Sequence, residues 1–118
     1  MKTIAKEMPL DQFAKEMNAL KKPFNVWAFY DAIPGVDFDS SIIATEMQLW
    51  ALPDSDLKRA NVTFYGDPRD YKISINEGCE TVKWNDEEAM QCYMMQTEHA
   101  VVFVYTPDGK PLEIKDKE

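Results

Sequence analysis

Apolar residues recur at Leu10, Phe13, Ala14, Met17 and Leu20 while Asp11, Lys15, Glu16, Asn18 and Lys22 take the opposite side, which is the spacing of a helix with one buried face. The pattern predicts a helix over 9–22. Pro9 suits its first turn, Asp11 its positive N-terminal end and Lys21 and Lys22 its C-terminal end, and Pro23 stops it. From Phe24 to Ile33 the aromatic and branched residues fall on both parities, with Val26, Ala28 and Tyr30 against Trp27 and Phe29. That is the signature of a strand covered on both faces. Pro34-Gly35 ends it in a turn.

Residues 41–52 fit two patterns: Ile43, Met47 and Trp50 could share a helix face, while Ile43, Met47, Leu49 and Ala51 share one strand parity. The strand is the preferred reading. Pro53 to Asp56 form a turn or open a short helical turn reaching Arg59. Val62 and Phe64 then alternate with Thr63 and Tyr65, and Tyr71, Ile73 and Ile75 with Lys72, Ser74 and Asn76, around Gly66 to Asp70. This predicts a β-hairpin over 62–76 with Phe64, Ile73 and Ile75 inward and Thr63, Lys72 and Ser74 outward.

Asn85-Asp86-Glu87-Glu88 offers a capping residue and first-turn carboxylates ahead of Ala89, Met90, Tyr93 and Met94, predicting a second helix over 86–97. Ala100 to Tyr105 is apolar on both parities and reads as a central strand. Pro107-Asp108-Gly109 fits a type I turn with glycine in the left-handed position, and Leu112 and Ile114 return as an edge strand. Without βαβ alternation, the expected fold is α+β: a mostly antiparallel sheet of four to six strands with two helices packed on it. At 118 residues and 45% hydrophobic content, one domain spanning 1–118 with a single core is expected.

Charge changes the picture more than length does. The formal net charge is −8, and it is concentrated. Residues 23–57 hold Asp31, Asp37, Asp39, Glu46, Asp54 and Asp56 without a single Lys or Arg, and residues 77–98 hold six carboxylates against Lys83. Such a field repels phosphate backbones and anionic membranes and favours a basic protein surface. No apolar run reaches the length of a membrane helix, and the N-terminal residues are punctuated by charge, so a cytoplasmic address is expected. Two cysteines are too few for a disulfide framework.

Candidate chemistry is sparse. His99 could pair with Cys79 or Cys92, but no spacing supports a catalytic set, and His99 suits a helix C-terminal end. Asp37-Phe38-Asp39-Ser40 lacks the glycine and distal glutamate of a calcium loop, and four scattered glycines build no phosphate loop. No catalytic residue, metal ligand or cofactor is assigned. Met90, Met94 and Met95 with Cys92 and Tyr93 make an apolar stripe wider than one buried helix face requires.

The expected function is therefore a small acidic binding module, of the kind that inhibits or accompanies a basic partner such as a nucleic-acid enzyme or toxin. Its partner-binding residues are assigned to Asp31, Asp37, Asp39, Glu46, Trp50, Asp54 and Asp56, because the segment from Trp27 to Trp50 joins large aromatics (Trp27, Phe29, Tyr30, Phe38 and Trp50) to unopposed carboxylates, and aromatic anchors rimmed by charge are what interfaces use. The alternatives are an assembly subunit joined through a sheet edge or the methionine-rich helix, and a small enzyme using Asp/Glu pairs.

Overall fold

A computed structural model describes the backbone of residues 2–33, 36–50, 60–67 and 71–115, and the side chains of 4–31, 39–50, 60–66 and 72–114. The elements run β1 (Lys2–Ile4), β2 (Glu7–Pro9), α1 (Leu10–Ala19), β3 (Phe24–Ile33), β4 (Val36–Trp50), β5 (Ala60–Asp67), β6 (Tyr71–Cys79), β7 (Thr81–Glu87), β8 (Met90–Gln96), β9 (Ala100–Val104) and β10 (Glu113–Lys115). Eight strands form one antiparallel sheet in the order β2-β7-β8-β9-β3-β4-β5-β6, and β1 pairs with β10 in a separate ribbon. Among the described residues no helix is long and apolar enough to cross a membrane.

This corrects the expected architecture of four to six strands with two helices. The second helix, 86–97, does not form. Its first residues close β7, Glu88 and Ala89 make a two-residue hairpin turn between Glu87 and Met90, and the rest is β8. The wide apolar stripe belongs to a strand between two neighbours, with Cys92 and Tyr93 fully buried and Met95 nearly so. The Asn85 cap is reused: its Oδ1 accepts the Glu87 N–H at 3.3 Å within the hairpin. Residues 24–33 and 41–50 are strands as read. The hairpin of 62–76 and the strand from Ala100 are also present. Gly109 takes φ +73°, the left-handed position expected of it.

The first helix is shorter than its pattern, running Leu10–Ala19, because Pro9 still belongs to β2 and Lys21 turns to φ 52°. Its apolar face (Leu10, Phe13, Ala14, Met17) is buried against β4 on one side and against β2 and β7 on the other, so the sheet curls around the helix. The inner face of the sheet supplies Val26, Ala28, Ile42, Met47, Phe64, Tyr93, Val102 and Val104 to one continuous core. Asn18, on the polar side of the sequence pattern, instead clamps the sheet: its Nδ2 donates to the Met47 carbonyl at 2.9 Å and its Oδ1 accepts the Met47 N–H at 3.0 Å.

That clamp lies just past a bend. The β4–β5 register slips between Ala44 and Glu46, a bulge that kinks β4 and sharpens its twist. Gly66 sits opposite Ala44 so closely that a Cβ there would collide with the Ile43 carbonyl and lie 2.9 Å from the Ala44 Cα. Only glycine fits this corner, and the corner folds β5 and β6 over the core.

Candidate functional site: an uncovered aromatic sheet face

The alternation of β3 and β9 puts Val26, Ala28, Val102 and Val104 inside and Trp27, Phe29, Val101 and Phe103 outside. Both faces of these strands are therefore apolar, yet α1 covers only the inner one. Among the described residues nothing forms a second layer over the outer face. Trp27 is 38% exposed and Ile43 52%, while Phe29 packs against Trp27 at 4.6 Å between ring centroids and against Phe103 at 5.7 Å, edge to face. Large aromatics in the middle of an open sheet face are the composition of an interface core.

The β3–β4 register places Asp39 opposite Phe29 on this same outer face and pairs the backbone of Asp37 with that of Asp31. Past the bulge, Glu46 pairs with Tyr65, Gln48 with Thr63 and Trp50 with Asn61, again on the outer side. Asp31, Asp39, Glu46 and Trp50, expected from the sequence to bind a partner, thus share one face of two adjacent strands, and their side chains are exposed. The backbone of Asp37 shares that register, its side chain lies outside the described residues, and so do Asp54 and Asp56. Trp50 is partly committed to structure, since its indole N–H donates to Thr63 Oγ1 at 3.1 Å. Together with Ser74, 2.9 Å from the same oxygen, it buries Thr63, which the hairpin pattern placed outward in solvent.

Trp27 is one of the large aromatics the sequence joins to the acidic segment, whereas Ile43 and Tyr105 beside it were not assigned to the site from the sequence. They line an open recess of about 500 Å³, together with Asn25 and Ser41. The signal that could have found them was the double-sided apolarity of 24–33 and 100–105, read as a strand covered twice. Trp27 also donates its indole N–H to Asp39 Oδ2 at 3.2 Å, tying the aromatic to the carboxylate.

A second polar cluster lies where β6 crosses the turn between β8 and β9. Glu77 Oε1 accepts the Thr97 hydroxyl at 2.8 Å and the His99 N–H at 3.1 Å, and Glu77 Oε2 meets His99 Nδ1 at 2.8 Å. Burial by itself pushes the Glu77 carboxyl up, but the hydrogen bonds from His99 and Thr97 and the charge of His99 hold it below its usual 4.5. The same hydrogen bond and charge raise His99 above 6.5. His99 is therefore no helix-end residue, and it stands beside a carboxylate rather than a cysteine.

Glu77, Glu98 and His99 bring possible metal-ligand atoms within 4.8 Å of one another, a grouping the sequence hides because Glu77 is remote in the chain. Both Glu77 oxygens are already occupied by donors, so an ion here would have to displace them. The cluster borders a cleft of about 460 Å³ whose floor includes Ile73, Ile75 and Ala100. Cys79 and Cys92 are buried, and burial raises both thiols, so neither is an activated nucleophile. Comparison of the chain with models of protein families, with curated proteins and with solved structures finds no match.

Proposed function

We propose that this protein is a binding module that docks a basic protein on the outer face of β3 and β4, in the manner of an inhibitor or immunity-type protein that blocks its partner. The observation that carries the reading is the open face itself: β3 and its neighbour β9 are apolar on both sides, and among the described residues a helix covers only the inner one. Burying Trp27, Ile43 and their neighbours against a partner supplies the affinity. Asp31, Asp39 and Glu46 supply the steering, and on β3 and β4 no cation offsets them. Two buried free cysteines suit a reducing compartment such as the cytoplasm. Assembly through a methionine-rich helix is not retained, because those methionines lie on β8 inside the sheet.

The test is affinity capture from the native host's lysate, with Ile43→Lys run beside the parent protein. The exposed position of Ile43 leaves the fold intact, so the variant isolates the surface. The expected result is a partner with an isoelectric point above neutrality that the parent retains and the variant loses. A partner held equally by both would place the interface elsewhere, and an acidic partner would refute the electrostatic half of the reading.

A further inference from the structure

The recess beside Trp27 narrows the chemistry of what docks there. Asn25 and Phe29 flank Trp27 on the same face of β3, two residues to either side. Phe29 backs one side of the indole, with ring centroids 4.6 Å apart, and the recess opens on the Asn25 side, bounded by Ile43 and Tyr105. The indole is packed on its Phe29 side, and Trp27, still 38% exposed, lines the recess. The indole N–H is spent on Asp39 Oδ2 at 3.2 Å, and Asp39 makes no ion pair among the described residues. Donation to a carboxylate pushes electron density into the ring and makes it a better seat for a cation.

We propose, resting on the docking reading above, that this recess is a receptor for an arginine side chain of the basic partner. The guanidinium stacks on the exposed indole of Trp27, its methylene stem lies along Ile43, and its counter-charge is Asp39, which does not line the recess but borders the indole at its N–H edge. Arginine fits better than lysine for two physical reasons. A planar, weakly hydrated guanidinium gives up little solvation to lie flat on an indole, and its fork can meet a carboxylate while stacked. A lysine ammonium is compact and strongly hydrated, so a shallow, half-open recess repays less of its desolvation. A purely apolar side chain would fill the recess but leave Asp39 without a counter-charge.

The experiment is a titration of the ¹⁵N-labelled protein with acetyl-arginine amide, following the indole N–H signals of Trp27, Trp50 and Trp84. The expected result is a saturable shift confined to Trp27 and its neighbours, with Trp50 and Trp84 as internal controls. Acetyl-citrulline amide, nearly isosteric but uncharged, is expected to bind about three- to tenfold more weakly, and acetyl-lysine amide to fall between. Asp39→Asn is expected to weaken arginine by a similar factor while its spectrum retains the dispersion of the parent, and Trp27→Leu to abolish the effect at Ile43 and Tyr105.

Absence of a saturable shift at Trp27, or equal binding of citrulline, overturns the proposal. The second outcome would identify an apolar recess. Failure here, with capture still lost in Ile43→Lys, removes the arginine receptor and leaves the docking face standing; failure of both removes the face as well.

Discussion

Tyr93 joins parts of the chain that lie far apart in sequence. Its buried hydroxyl donates to the Ala5 carbonyl at 2.6 Å and accepts the Leu112 N–H at 2.8 Å, while its ring packs on Phe13 and Trp84. Tyr93→Phe keeps the ring and strands both backbone groups, so urea denaturation is expected to show a loss of about 1–3 kcal/mol. Asn18→Ala, which releases Met47 from its two-bond clamp, is expected to cost about 1–2 kcal/mol in the same assay. The Glu77–His99 pair adds a pH dependence whose sign follows from its two shifts. Glu77, lowered, stabilises the fold above its unfolded value of 4.5 and loses that contribution as pH falls through the folded value. His99, raised, stabilises it below 6.5 and loses that as pH rises through its folded value. The contribution is therefore complete between those two pH values. NMR titration is expected to place His99 above 6.5 and Glu77→Gln to bring it back; a His99 that titrates normally in the parent would contradict the geometry. At this scale the sequence was legible for parity and little else: Asn18 and Thr63 read as solvent-facing because nothing local announces that Met47 or Trp50 will meet them.

Among the elements, the β5–β6 hairpin is the one whose pattern translated most directly, because alternation over a strand with one buried face fixes which side goes in. Ile73 and Ile75 are buried and Lys72 is exposed. Ile73→Ala is expected to destabilise by about 2–5 kcal/mol and Lys72→Ala by less than about 0.5 kcal/mol, and equal effects would argue against this register. The segment 86–97 went the other way. Capping residues and helical spacing were both present, but six consecutive apolar or weakly polar positions satisfy a strand buried on both faces as well as a helix, and tertiary pairing with β7 and β9 decided the outcome. The β4 bulge was likewise silent in the sequence. Its only trace is Gly66, whose lack of a Cβ lets β5 close on Ile43 and Ala44, and Gly66→Ala is expected to destabilise by more than the ~1 kcal/mol of an ordinary strand glycine change.

For the whole molecule, the acidic segment and the aromatic strands could be read from the sequence as separate features, but not their meeting on one face, since that depends on the β3–β4 register and on which side the helix covers. Their coincidence makes a kinetic prediction. Substituting Asp31→Asn, Asp39→Asn and Glu46→Gln together should slow association with the basic partner and flatten its salt dependence around the ~10 Å screening length of 0.1 M salt, with little change in stability. An on-rate indifferent to both would leave the carboxylates as solvation alone. The strand order carries a different consequence, in the exchange of backbone amides with solvent deuterium. β9 and β3 lie in the middle of the sheet, between β8 and β4, whereas β2 and β6 are its edges. Amides of the central strands should exchange only when the whole sheet opens, and those of the edges through local fraying. Because those central amides are already bonded in the plane of the sheet, a partner seated on its outer face has none of them to cover. Docking should therefore leave no local footprint over Trp27, but slow every globally exchanging amide by one common factor set by the partner's concentration and affinity.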